Sequence, residues 1–169
     1  MGMIAKYMMI DENTLNSLME LDSEDLTNRL MELEESKVFK SITIDKIWDA
    51  LHYFLTGVSA AEPIEGNKLS EAVVGVHVFN DDDEDADFIT CIENEELSEI
   101  ITAMKNIDFE RLAADFVPKR MKKHKIYPGG IESDGKDQLV GEFKEAVADI
   151  LKFYKSALRK GCHVIVSIL

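Results

Sequence analysis

The segment from Asp134 to Leu169 constrains the chain more than any other. Leu139, Phe143, Val147, Ile150, Tyr154 and Leu158 recur at three- and four-residue steps, which places them on one stripe of a long amphipathic helix over 134–160. Gly161 ends that helix. Cys162-His-Val-Ile-Val-Ser-Ile-Leu169 follows, β-branched and nearly continuous in apolar character. A strand with no polar face has to be covered on both sides, so it belongs in the middle of its sheet.

Further strands are predicted at Gly2 to Ile10 and at Phe88-Ile-Thr-Cys-Ile92, with helices between. Leu15, Leu18 and Met19 mark a short helix from Asp11 to Leu21. Asp22 or Ser23 caps a second helix carrying Leu26, Leu30 and Leu33, with Glu24 and Asp25 at its positive end. Asn94 is placed to cap a helix to about Met104, and Asp108 one to about Phe116. Residues 58–70 read as a loop, and Leu69 to Phe79 as a short helix, a strand, or one after the other. The resulting fold class is α+β: a single domain over residues 1–169, whose small sheet contains both terminal strands and packs with several helices.

At 169 residues and 46% hydrophobic, the chain can bury a full core without disulfides or metal. The start has no apolar run of signal-peptide length, and no stretch approaches the roughly 18 apolar residues of a membrane span. Two widely spaced cysteines, Cys91 and Cys162, suit buried reduced thiols in a cytoplasmic protein. The net charge is −14, unevenly spread: residues 1–100 hold 6 Lys and Arg against 24 Asp and Glu, and the remainder 13 against 9. Such a field repels nucleic-acid phosphate and anionic lipid and favours a basic protein partner. The one basic run, Pro118-Lys-Arg-Met-Lys-Lys-His-Lys125, has no interleaved aromatics. It is read as neutralising the acidic half, within the molecule or between copies.

Asp45 to Gly57 carries the only tryptophan. Ile44, Ile47, Trp48, Leu51, Phe54 and Leu55 form one apolar face, Asp45 is placed as the cap and Gly57 as the left-handed stop. Trp48 and His52 are four apart, and Asp49 is three from His52, so its carboxylate can orient the imidazole. This is half of an acid–base pair; no nucleophile stands at a recognisable spacing. The plainer alternative is a core helix with its histidine satisfied at the core edge.

His52, His77 and His163 match no zinc or iron spacing, and His77 and His163 lie in apolar runs that suit core histidines. Asn80 to Asp87, NDDDEDAD, reads as a surface loop because closely spaced acids cannot be buried unpaired. Counted from Asp81, the calcium-loop positions six and twelve fall on Ala86 and Ile92, which fails that motif. No phosphate-loop, dinucleotide or GxSxG motif occurs, so neither cofactor nor metal is expected.

Four places resemble the YfbM-like family of small bacterial proteins of unknown function. They are Met1-Gly-Met-Ile4 with Tyr7; Trp48-Asp49, Leu51-His52 and Leu55-Thr56-Gly57; Ile126-Tyr127-Pro128; and the closing helix and strand. The resemblance implies an α+β domain in a bacterial cytosol and no established activity. The chain departs from it in the acidic loop, where relatives tend to carry Gly and Pro, and at Gly129-Gly130 after the Ile-Tyr-Pro turn.

Two functions follow as expectations. The first is a non-enzymatic acidic protein-binding domain meeting a basic partner, with Trp48, Thr56, Asp81, Asp82, Asp83 and Asp85 as candidate binding residues. The alternative is a small-molecule enzyme, hydrolase-like, with Asp49, His52 and Tyr127 as candidate catalytic residues and Thr56 in support.

Overall fold

The computed structural model describes residues 2–169, so Met1 of the opening motif lies outside the described residues. Five antiparallel strands form one sheet: β1 (Ala5–Ile10), β2 (Ser41–Asp45), β3 (His77–Val78), β4 (Phe88–Ile92) and β5 (His163–Ile168), in the order β2-β1-β5-β4-β3. β5 is central, as its unbroken apolar character requires, and pairs β1 with Ala5 opposite Ile168 and Ile10 opposite His163. The α+β architecture with both terminal strands in one sheet is thus observed.

Both faces of the sheet are covered, and the period of two divides the strand residues between them. Met8, Ile10, Ile89, Cys91 and Ile165 pack under α1 (Glu12–Met19) and α2 (Ser23–Ser36) through Leu15, Leu18, Leu26, Leu30 and Leu33. Tyr7, Met9, Ile92, Val164 and Val166 face the larger core, built with α3 (Trp48–Thr56), α4 (Lys68–Val74), α5 (Asn94–Lys105) and α8 (Lys136–Arg159). The smaller helices α6 (Phe109–Asp115) and α7 (Arg120–Lys123) close one end. Phe54, Phe116 and Phe143 meet there with ring centroids 4.9 to 5.6 Å apart; truncating the fully buried Phe143 to Ala would cost about 3–5 kcal/mol.

Several sequence expectations need correction. The face assigned to one helix from Ile44 onward belongs to two elements. Ile44 sits in β2, paired with β1, and Asp45 has φ +57° and caps nothing, while α3 starts only at Trp48. Gly57 does end α3 in the left-handed region, at φ +87°. Glu93, not Asn94, caps α5 in a reciprocal box with Glu96; the Asn94 amide instead donates to Ala157 and Cys162 carbonyls at the end of α8. His77 is no core histidine: it lies on the two-residue edge strand β3 and is half exposed. Leu69 to Phe79 resolves as helix then strand. Among the described residues no cation of the 118–125 run is within ion-pair distance of an acid, so the expected neutralisation within the molecule is not made by direct pairs.

Candidate functional site

Helix α3 organises three joints, and every candidate residue of the opening motif belongs to one of them. At its start, the Trp48 indole stacks on Tyr127 with centroids 5.4 Å apart. Trp48 Nε1–H donates to the Met3 carbonyl at 3.1 Å, and Met3 N–H donates to the Tyr127 hydroxyl at 2.7 Å. A Cβ at Gly2 would collide with that hydroxyl and with the end of the Lys46 side chain, so a larger residue there has to displace them.

Asp49 is 3% exposed and accepts three hydrogen bonds: Ser59 Oγ–H at 2.9 Å and Ala60 N–H at 2.7 Å on one oxygen, Tyr127 N–H at 2.8 Å on the other. It does not orient His52 as expected. Adjacency on a helix permitted that contact, but the open N–H groups of the 58–60 loop and of residue 127 take both oxygens.

His52 is fully buried. Its Nδ1 lies 2.8 Å from the Val58 carbonyl and its Nε2 2.7 Å from Ser70 Oγ. A carbonyl only accepts, so Nδ1 carries the proton, Nε2 is the acceptor, and the Ser70 hydroxyl donates to it. Ser70 Oγ in turn accepts Ile64 N–H at 3.0 Å. Burial holds the imidazole below its ordinary pKa, with the Val58 bond and the charge of Asp49 acting the other way. Thr56 Oγ1 bonds back to the His52 carbonyl at 2.8 Å and accepts Val58 N–H at 3.3 Å.

A neutral imidazole accepting from a serine hydroxyl is the geometry of an activated nucleophile. Sequence reasoning missed Ser70 because it stands 18 residues from His52 on another helix, with no motif around it. Yet Ser70 is 1% exposed, and each polar atom of the couple is engaged in holding the 58–70 loop against α3 and α4. The hydroxyl of Tyr127, the third candidate catalytic residue, is bonded instead to the N-terminal segment. The hydrolase candidates are therefore not brought into one cleft.

The open features lie elsewhere. A cleft of about 730 Å³ runs between the 63–66 loop, the end of α4 and the β3–β4 edge, with Ser70, Glu71, His77, Asp81 and Thr90 in its wall. A shallower concavity of about 340 Å³ separates the start of α2 from the acidic loop and is lined by Glu24, Asp83, Asp85 and Asp87. The loop is tied to α2 there: Ser23 Oγ–H donates to Asp83, and Thr27 Oγ1–H donates to Asp87 at 2.8 Å. The bonds from Ser23 and from Asp85 N–H hold the Asp83 carboxyl below its usual pKa. Asp81 faces the larger cleft, and Asp82 lines neither concavity. At the sheet edge His77 Nε2 is 2.9 Å from Glu96 Oε1, with the Glu93 carboxylate beside them.

The profile of the family described as "Domain of unknown function (DUF1877)" matches residues 1–167. The chain belongs to the DUF1877 family. It is 31% identical to protein YfbM of Escherichia coli strain K12 over 170 residues, covering 100% of this chain and 99% of YfbM. It is also similar to the crystal structure titled as a protein of unknown function, YfbM, from Escherichia coli, with TM-score 0.82 at 31% identity over 99% of this chain and 100% of that one. The resemblance read in the sequence is therefore shown. In this DUF1877 chain the motif residues Gly2, Trp48, Asp49, His52, Thr56 and Tyr127 all serve joints between α3 and its surroundings. No helix of the described residues is long and apolar enough to cross a membrane.

Proposed function

We propose that this DUF1877 protein is a cytoplasmic, non-enzymatic binding domain that docks a basic protein partner on its acidic loop. The observation that carries the reading is the concavity between α2 and residues 80–87. Four carboxylates, of Glu24, Asp83, Asp85 and Asp87, line it with no basic side chain among them. Two side-chain bonds to α2 fix the loop before any partner arrives, which lowers the ordering entropy of binding. Asp81, Asp82 and the −14 net charge extend the negative field and speed encounter with a cation-rich surface. Cys91 and Cys162, both free, suit a reducing compartment.

The enzyme alternative draws support from the Ser70–His52 bond at the wall of the larger cleft, but Ser70 is 1% exposed, His52 is fully buried, and their polar atoms are committed to the loop. The binding reading is tested by affinity capture from host extract with the native chain and a D81N/D82N/D83N/D85N variant, in low and high salt. The amides keep the loop's hydrogen-bond acceptors and remove four of its six negative charges. A partner retained by the native chain, released by salt and not held by the variant is the expected result. A set of captured proteins identical for both chains would overturn the reading.

A further inference from the structure

We propose that His77, Glu93 and Glu96 form a binding site for a first-row divalent transition metal at the β3–α5 edge of the sheet. Among the described residues this is the group in which three ligand-type side chains come together, with one donor atom from each lying within 4.8 Å of the others. The three come from two neighbouring elements. His77 is on β3, opposite Cys91 of β4, and Glu93 and Glu96 open α5.

The donor geometry fits a metal. His77 Nε2 and Glu96 Oε1 are 2.9 Å apart. Two donors each about 2.1 Å from a six-coordinate ion, at right angles, sit about 3 Å apart, so this pair can share a metal with small movement. The capping box does not exhaust the carboxylates. Glu96 Oε1, the oxygen that faces His77, accepts Glu93 N–H at 2.9 Å with one lone pair, which orients the side chain and leaves the second lone pair for a metal. One imidazole with two carboxylates suits zinc, manganese or iron better than calcium or magnesium, which prefer oxygen alone. The side chain of His77 is 52% exposed and that of Glu96 23%, so an ion reaches the site from solvent, and water completes its shell. On binding, the neutral imidazole gives its Nε2 lone pair to the metal and keeps its one proton on Nδ1, so coordination replaces the hydrogen bond to Glu96.

Zinc chloride is the probe. Calorimetric titration and thermal melts are run on the native chain, on His77→Gln, on Glu93→Gln, and on the D81N/D82N/D83N/D85N loop variant. His77 is exposed and on an edge, so His77→Gln keeps its metal-free melting temperature and serves as the folded control. We expect saturable one-to-one zinc binding with a raised melting temperature in the native chain and the loop variant. Affinity should fall by about tenfold or more in His77→Gln and Glu93→Gln. Equal binding by His77→Gln, loss of binding in the loop variant alone, or no saturable binding by the native chain would each overturn the site.

Discussion

Trp48 and Tyr127 lie stacked, 24° from parallel, and together hold the backbone of Met3 by its carbonyl and its N–H. Two side chains 79 positions apart thereby fasten the strand entrance to α3 and to the Ile-Tyr-Pro turn. Tyr127→Phe keeps the stack and loses one acceptor beside a half-exposed segment, where water replaces it. We expect a loss of about 0.5–1 kcal/mol in urea unfolding followed by indole fluorescence. Trp48→Phe removes buried ring area as well as the donor and the only indole, so its unfolding is followed by circular dichroism, and it should cost about 2–3 kcal/mol.

Asp49 is the tightest of the three joints, since one carboxylate satisfies three donors from two segments. An amide at this position retains one acceptor and turns an NH2 toward a donor. If the oxygen stays with Ser59 and Ala60, the Tyr127 N–H faces the NH2. Asp49→Asn is expected to destabilise the fold by about 2–3 kcal/mol in denaturant titration. A loss below about 0.5 kcal/mol would show that water already shares these donors.

His52 gives the stability of this fold a pH dependence of fixed sign. Burial lowers its pKa in the folded chain from the ordinary 6.5. Below that pH the unfolded chain binds the proton more readily than the folded one, so stability falls with acidification. The contribution is complete above the ordinary value and diminishes as pH drops through it toward the folded value. His52→Gln keeps a donor for the Val58 carbonyl and has no such titration. Unfolding free energies measured between about pH 5 and 8 should therefore show a shallower slope for His52→Gln than for the native chain, on top of a uniform loss. Parallel slopes would place the acid sensitivity elsewhere.

What the sequence revealed, and what it withheld, follow from the range of the interactions. The α8 stripe, the central β5, Asp22 as one of two candidate caps and Gly57 as a stop all rest on neighbours within one or two turns, and those local rules held. Ile44 and Ile47 fall three apart, so periodicity alone joins the end of β2 to α3. Pairing with β1, not periodicity, makes residues 41–45 a strand, four of whose five side chains are not buried. His77 looked buried because its neighbours are apolar, yet a two-residue edge strand leaves it at the surface. The motif residues could be singled out, but their partners could not. Asp49 meets a residue 78 positions away and His52 one 18 away, and no spacing rule connects them.

The end of α4 shows how few such contacts secure a marginal element. This helix has seven residues, too short to persist alone in water. Its last four carbonyls are each satisfied: Glu71 by Gly75 N–H at 2.8 Å, Ala72 by Tyr154 Oη–H at 2.6 Å, Val73 by Tyr7 Oη–H at 2.6 Å and Val74 by Thr90 Oγ1–H at 2.7 Å. Tyr7 and Tyr154 are fully buried and held well above the ordinary tyrosine pKa by that burial, so both stay neutral donors. Phenylalanine at either site preserves packing and orphans one buried carbonyl, for an expected loss of about 1–3 kcal/mol each. The rings are 6.1 Å apart and serve adjacent carbonyls, so the two losses should couple. Once the first bond is gone the turn opens to water, and the second carbonyl is no longer stranded. The double variant is therefore expected to lose less than the sum of the singles by more than about 0.5 kcal/mol in a urea double-mutant cycle. Strict additivity would mean that α4 stays closed without either hydroxyl, held by the His52–Ser70 joint at its other end.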